Sequence, residues 1–501
     1  MVQRLFRLPW AYLPSNKAAV AVIASVRVVD FYQIASFQTC ITLHLQCLDP
    51  GLPLADVARN VGIAQGIFTA AQIVSAPAWG VAADRIGRKA VILIGLVGTA
   101  VACVAVAFAG SFQTIVLWRL FAGAVNGTVV AARAAMSDSL PPQHRPAGFS
   151  TLVLAFHVAN AVGPLLTAAS MRSGAGTTSS LGLPDYIGEN RLMASLSKQP
   201  YALPNLLSAL FLLMDALLVW FKLEETSKDA HQIRHMAAVQ LQSWTARLRQ
   251  YRRVPDCEDQ TASTMDSSAK NEPILETEQP SSHNQELTEP LWTPRLFIVL
   301  ATVAILEFHL GAFGSMWALF VVADRRKPDA PFKLPFTFTG GLQLESSQLG
   351  FAMGMLGIIG TLLQFTAVPY YTTKKGAVRS FKASLPLFAI SLFLAPYLSL
   401  VPAARSGTLW LGIFLVLFLH VISRSFGILA SILLVNQATN LPSRRGTVHG
   451  IGNTVSSTFR TAGAMAGGVL YGLGEQRNQV GFGWWFVCFV SIQGWIMGCW
   501  L

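Results

Sequence analysis

Apolar residues in this chain gather in runs of about twenty, with polar residues clustered between them. A helix rises 1.5 Å per residue, so a run of about twenty crosses the ~30 Å hydrocarbon core of a bilayer. Twelve runs can be counted, at 18–45, 61–82, 90–109, 112–136, 148–170, 203–221, 295–322, 348–370, 380–400, 408–436, 447–473 and 481–500. The pattern predicts an all-α membrane protein with twelve transmembrane helices. One long polar stretch splits the runs into six plus six. The implied organisation is an N-tail at 1–17, a first bundle at 18–222, a central loop at 223–292 and a second bundle at 293–501.

The two bundles carry traces of repetition. At an offset of 292, Gly62 matches Gly354, Gln72 matches Gln364 and Pro77 matches Pro369. These identities set the second run opposite the eighth, as two parallel six-helix pseudo-repeats require. In the central loop, Ile233, Met236, Leu241, Trp244, Leu248 and Tyr251 recur at helical spacing, accompanied by Arg234, Arg247, Arg249, Arg252 and Arg253. An amphipathic helix at about 231–253 follows, lying on an anionic leaflet or packed on the bundle. The remainder of the loop is rich in Ser, Thr, Glu and Gln without periodicity, which predicts disorder.

Composition narrows the class. Charged residues are 12% and hydrophobic residues 52% of 501, against about 25% charged in soluble domains. A water-soluble enzyme, a disordered chain, a fibre and a small disulfide scaffold are all excluded. The net charge of +12 reads as basic loops facing anionic lipid and not as a nucleic-acid surface. The six cysteines form no C-x-x-C pair, so neither a metal site nor a disulfide framework is indicated. No cofactor is implied. The tail to Lys17 carries Arg4 and Arg7 with Pro9 and Pro14 and does not read as a cleavable signal. Lys and Arg favour the segments that are inside if both termini are cytosolic. The segment after the seventh run opposes that bias with Arg325, Arg326, Lys327 and Lys333.

One connecting segment is specific. Gly80, Asp84, Arg85, Gly87, Arg88 and Lys89 spell G-x-x-x-D-R-x-G-R-K between the second and third runs. Gly80 suits close helix approach and Gly87 a tight turn, while Asp84 can face a helix N-terminus or an arginine. The pattern resembles that of the major facilitator superfamily. The resemblance extends to Arg119, Gly123 and Gly127 in the fourth run, Gly163-Pro164 in the fifth, Tyr201, Pro204 and Asn205 opening the sixth and Leu223-Glu224-Glu225-Thr226 closing it. Gly446, Gly450, Arg460 and Gly463 continue it in the eleventh. This set is similar to the zinc-induced-facilitator-like and tetracycline-resistance-like drug:proton antiporters, above all their fungal branch. Departures occur at Thr167-Ala168, where those antiporters carry Gly-Gly, at Ala464 in place of Pro, and at Arg27-Val-Val-Asp30, where relatives show R-x-x-E-P. Near Gly376 the motif's echo carries no acid.

Ionisable groups inside the runs are costly and usually face a cavity or a partner. Arg27 and Asp30 are three residues apart and can pair, which leaves Asp30 as a proton or substrate site or as half of a structural pair. Glu307 and His309 point ~200° apart on a helix, so at most one faces a central cavity squarely. His420 and Arg424 share a face, and Arg424 suits either an anion clamp or a structural tie to a carbonyl or to Asp138. His157 and Asp215 stand alone. Asn126-Gly127-Thr128 matches a glycosylation sequon but lies mid-run, where it is unused. The resemblance implies that Arg119 serves proton coupling and that Arg133 and Asp138 join Asp84 and Arg88 in a charge relay locking the cytosolic gate. Glu307, with no cation on its own helix face, is the favoured proton carrier, and Asp30 the structural or substrate-orienting acid.

These readings imply a secondary transporter of a small organic solute working by alternating access as a proton-coupled efflux system. It is a monomer in the bilayer of the plasma or vacuolar membrane. The alternative is a non-transporting sensor with the same fold. An enzyme is excluded: H-E-x-x-H, G-x-S-x-G and a P-loop are absent from the sequence, and Ser195 to Lys198 matches S-x-x-K only as chance allows.

Overall fold

The computed structural model describes residues 17–141, 144–174, 201–226, 292–326, 332–402, 405–437 and 445–500. The first half comprises α1 (Lys17–Leu48), α2 (Leu54–Ile86), α3 (Arg88–Ala107), α4 (Phe112–Val125), α5 (Thr128–Ser139), α6 (Arg145–Gly174) and α7 (Ala202–Lys222). The second comprises α8 (Pro294–Val322), α9 (Ser346–Phe365), α10 (Ala367–Lys375), α11 (Ala377–Leu394), α12 (Ser406–Gln437), α13 (Arg445–Gln476) and α14 (Phe482–Cys499). Among the described residues no strand forms; Lys333 and Thr337 make one isolated bridge. The amphipathic helix expected at 231–253 and the disordered stretch after it lie outside the described residues.

Eleven described helical spans are long and apolar enough to cross a membrane. Their outer faces carry large apolar side chains such as Leu117, Trp220, Phe221 and Leu411, as contact with lipid requires. The eleventh predicted run departs from the expectation. Its helix, α13, is 32 residues long but does not reach the apolarity of the other spans. The reason is its position: α13 is wedged between α2 and α8, where small residues matter more than apolar ones. A Cβ at Gly468 would lie 2.4 Å from the Ala58 carbonyl oxygen, and one at Gly463 2.2 Å from that of Phe308.

Two other runs are broken. The fourth divides at Asn126-Gly127 into α4 and α5. The carbonyls freed by the break are met from α2, where the Trp79 indole Nε1 donates to Ala124 O at 2.7 Å. The eighth run divides at Thr366 into α9 and α10. Gly62 and Gly354 occupy corresponding crossings, Gly62 against α13 at Ala464 and Gly468, and Gly354 against α6 at Ala161 and Leu165. Span two therefore meets span eleven as span eight meets span five, the relation that two repeated halves produce.

The connection Gly80–Lys89 marks one end of the bundle, here the motif face; the opposite end is the far face. At the far face one buried apolar cluster runs through both halves, joining Phe37, Ile41 and Val61 to Trp317, Leu349 and Trp484. Toward the motif face the core separates into two. Val26, Leu96, Met136 and Leu212 pack within the first half, and Leu300, Phe388 and Leu434 within the second. The halves thus share one core at the far face and keep separate cores toward the motif face, where polar contacts such as Gln364 to Ser150 at 3.4 Å join them instead.

The cations that opposed the charge bias are structural. The Arg325 guanidinium donates to Val401 O at 2.7 Å, and that of Arg326 lies 4.3 Å from the Phe332 ring centroid. Lys333 pairs with Thr337 through the backbone. The loop they shape places Phe338 in the far-face core. Lys327 lies outside the described residues.

Far-face closure depends on backbone contact between α9 and α6. A Cβ at Gly357 would sit 2.0 Å from the Ala161 nitrogen, too close for any side chain without displacing a helix. Gly357→Leu is expected to lower the thermal unfolding midpoint of the purified protein by a few degrees, while each half keeps its own core and the protein still elutes as a monodisperse species. A wild-type midpoint would show that the crossing does not need this contact.

Candidate functional site

The break in the fourth span has a local consequence. With the helix interrupted at residues 126 and 127, the side chains of Asn126 and Thr128 turn toward α1. There the Asp30 carboxylate accepts from Asn126 Nδ2 at 2.7 Å and from Thr128 Oγ1 at 2.8 Å. Arg27 forms an ion pair with the same carboxylate. Gln72 Nε2 of α2 donates to Asn126 Oδ1 at 3.2 Å. Asp30 is fully engaged within the first half. Arg27 was expected as its pair; Asn126 and Thr128 were visible in the sequence only as an unusable glycosylation sequon.

Glu307 of α8 departs from its expectation. It has no cation within a turn on its own helix face, but Arg460 of α13 supplies one across the helix interface. Glu307 Oε2 accepts from Arg460 Nε at 2.8 Å and from a terminal nitrogen at 2.6 Å. The premise of an unpaired mid-span acid is therefore corrected. Helical spacing on one element cannot reveal a partner from another, although Arg460 stood in the sequence as a mid-span cation. The Arg460 side chain is 43% exposed and borders the space between the halves. His309 points the other way, buried against Phe388 with a ring-centroid distance of 5.7 Å. The buried acid without a cation among the described residues is Asp215 of α7, which accepts from Ser25 Oγ of α1 at 2.7 Å.

Arg424 of α12 makes neither tie considered from sequence. Its guanidinium carbon lies 4.3 Å from the centroid of Phe156 on α6, so it reaches across to the first half. His420, one turn earlier, stacks on Phe313 at 3.6 Å. Arg119 is buried between the Phe37 and Phe68 rings, 4.1 and 4.3 Å from their centroids, and donates to Gln33 Oε1 at 3.2 Å. Gly163 and Pro164 sit where α6 meets two neighbours: a Cβ at Gly163 would touch Ala35 of α1, and Pro164 O abuts Gly350 of α9.

At the motif face, Arg88 draws Asp84 and Asp138 together at 2.6 and 3.4 Å. Arg133 is not part of this relay. It projects between the halves and donates to Asn453 Oδ1 of α13 at 2.5 Å, because five residues of helix separate it from Asp138 by a change of face. The sequence-based role for Gly80 is also corrected, since a Cβ there would meet Val130 at an ordinary 3.8 Å. Gly87 is demanding: its φ is +105°, and a Cβ would fall 2.1 Å from Glu225 Oε2. That carboxylate accepts from the backbone nitrogens of Arg88 at 2.8 Å and Lys89 at 3.3 Å, capping the first turn of α3. Lys89 Nζ donates to Trp220 O at 2.7 Å. Arg85 lies exposed beside them. Glu225 thus takes the helix N-terminus that Asp84 had been offered.

Residues 34–464 match the Major Facilitator Superfamily. The chain belongs to the major facilitator superfamily. Among relatives of this superfamily, the major facilitator superfamily multidrug transporter mfsB of Aspergillus fumigatus is 25% identical over 89% of this chain and 77% of its own length. The efflux pump azaK of Aspergillus niger is 28% identical over 47% of this chain and 45% of its own. The class H tetracycline resistance protein of Pasteurella multocida is 30% identical over 22% of this chain and 28% of its own. Among solved structures, the human organic anion transporter MFSD10 (TETRAN) covers 97% of this chain and 100% of its own, at 18% identity and a TM-score of 0.58. The partially occluded, inward-open xylose transporter XylE of E. coli covers 96% of this chain and 97% of its own, at 10% identity and a TM-score of 0.62. At these identities the structures establish the major facilitator fold.

Within that fold the motif-face contacts separate in energy. Asp84 is 69% exposed, and its pair with Arg88 is worth below about 1 kcal/mol in water. Glu225 satisfies backbone donors at a helix start, a contribution of about 1–2 kcal/mol. Glu225→Ala is expected to lower the thermal unfolding midpoint of the purified protein clearly more than Asp84→Asn. Equal or reversed shifts would assign the cap to another group.

Proposed function

We propose that this chain is a secondary transporter that exports a small organic solute by alternating access, coupled to protons. The observation that carries the reading is the asymmetry of the core: one apolar cluster shared by both halves at the far face, two separate clusters toward the motif face. Such a space, open at one end and lined by charged side chains, takes up a solute from one side. Release on the other needs only the reciprocal closure. The multidrug and efflux names of the relatives support an organic solute and export. The basic motif face is the cytosolic one by the charge bias. Both termini and the 223–292 loop are then cytosolic, and the protein works as a monomer in the plasma or vacuolar membrane. Tags at either terminus are expected to stay shielded from impermeant reagents in intact cells or sealed vacuoles; labelling of one terminus alone would refute this topology.

Glu307 is the proton site in this reading, now with Arg460 as its counter-ion. The pair borders the opening between the halves, so water can bring a proton to it, whereas Asp215 is held against α1. Protonation of Glu307 frees Arg460 and weakens a tie between α8 and α13. A bias of a few kcal/mol suffices to move a two-state equilibrium. In proteoliposomes, Glu307→Gln is expected to keep substrate exchange and lose accumulation driven by a pH gradient. Persistent accumulation in Glu307→Gln together with its loss in Asp215→Asn would transfer the role to Asp215.

A further inference from the structure

The space between the halves contains more cation than anion, and the surplus has a definite shape. Arg27, Arg133, Arg424 and Arg460 lie near enough to one another and to Glu307 to interact electrostatically. Against these four guanidiniums stand two carboxylates, and both are taken. Asp30 is held by Arg27, Asn126 and Thr128, and Glu307 by Arg460. Asp215, the buried acid without a cation, is engaged by Ser25 Oγ of α1, so among the described residues a cationic solute would find no free carboxylate beside these four guanidiniums.

Arg133 and Arg424 are left without a carboxylate; Arg133 donates to Asn453 Oδ1, which leaves Arg424 as the group without an acceptor among the described residues. It is 9% exposed, its Nε has no hydrogen-bond partner, and among the described residues no carboxylate lies within ion-pair distance. An unpaired guanidinium buried in a membrane span is costly; a ring face offsets part of that cost. The ring is that of Phe156, which meets Phe31 edge to face at 5.0 Å, and Phe31 in turn lies under Arg27 at 4.2 Å. Both rings are half-buried. The sequence Arg424, Phe156, Phe31, Arg27 therefore spans the two halves, with a guanidinium at each end and aromatic surface between. Arg27 is occupied by Asp30, so the vacant fork belongs to Arg424.

Resting on the transporter reading above, we propose that the solute is an aromatic organic anion whose carboxylate or sulfonate pairs with Arg424 and whose ring lies against Phe156 and Phe31. The guanidinium fork matches such an acid group in two parallel hydrogen bonds, and the ring pair supplies the apolar surface for the rest of the molecule. Because Arg424 and Phe156 come from different halves, the anion holds them together across the boundary between the halves. It thereby acts on the same movement that the transport cycle requires.

The test uses the full-length protein in a neutral detergent without added lipid, with three probes that share one ring system: 2-naphthoate, 2-naphthamide and 2-naphthylmethylammonium. Equilibrium dialysis is expected to show naphthoate binding, with the amide and the amine at least tenfold weaker. Arg424→Gln is expected to weaken naphthoate at least about tenfold, with Arg424→Lys intermediate. The exposed Arg405→Gln serves as a control and should bind as wild type. Phe156→Leu, which leaves the guanidinium in place, is expected to weaken naphthoate severalfold and keeps the proposal testable should Arg424→Gln misfold. Amine binding as tight as naphthoate, or undiminished naphthoate binding in Arg424→Gln or in Phe156→Leu, would overturn it. Proteoliposome flux separates the two claims. Naphthoate that binds through Arg424 while none of the three probes crosses would sink the transport reading and leave the anion site standing. Amine flux without naphthoate binding would do the reverse.

Discussion

A charge carried into hydrocarbon must find its partner within the protein, and in this chain most of those partners come from other helices. That requirement sets where the helices meet. Asp30 draws the broken fourth span onto α1, and Glu307 ties α8 to α13 through Arg460. Arg119 is clasped by two rings and Gln33. Each contact neutralises or solvates a group that lipid cannot. Together they leave a few polar groups turned toward the space between the halves.

Close backbone approach is the second constraint, and it is distributed unevenly. Glycines bring α13 against α2 and α9 against α6 on the far-face side, where a single core then forms. Toward the motif face each half keeps its own core, although Gln364 of α9 still donates to Ser150 of α6 at 3.4 Å. The motif itself lies wholly within the first half in this state. Arg88 gathers Asp84 and Asp138, and Glu225 caps α3. The connection is thereby a rigid corner, able to move with its half as one piece.

The cavity inherits its chemistry from what these two constraints leave unsatisfied. Buried pairs consume both acids nearest the centre. The remaining cation, Arg424, lies on an aromatic face contributed by the opposite half. Under the proposed alternating access, a site divided in this way couples occupancy to the relative position of the halves, since a ligand bound to both favours the arrangement that brings them together.

The chain's order of apolar runs, its six-plus-six division and its G-x-x-x-D-R-x-G-R-K motif were all legible in the sequence. Each depends on the local periodicity or spacing that the bilayer and a tight turn impose directly. Arg27 and Asp30 were legible as a pair for the same reason, three residues apart on one helix. The partners of Glu307 and Arg133 were not, and that of Asp138 came only through the family resemblance. Arg460 is 153 residues from Glu307 and Asn453 320 from Arg133, and no pattern along one helix records what a neighbouring helix presents. The break at Asn126-Gly127 was hidden as well, since its cost is met by Trp79 of another helix and its benefit falls on Asp30. The polar character of α13 likewise follows from its place between α2 and α8. Sequence alone determined which segments are apolar enough to enter a membrane; tertiary packing decided which charges are satisfied, because that balance exists only between helices.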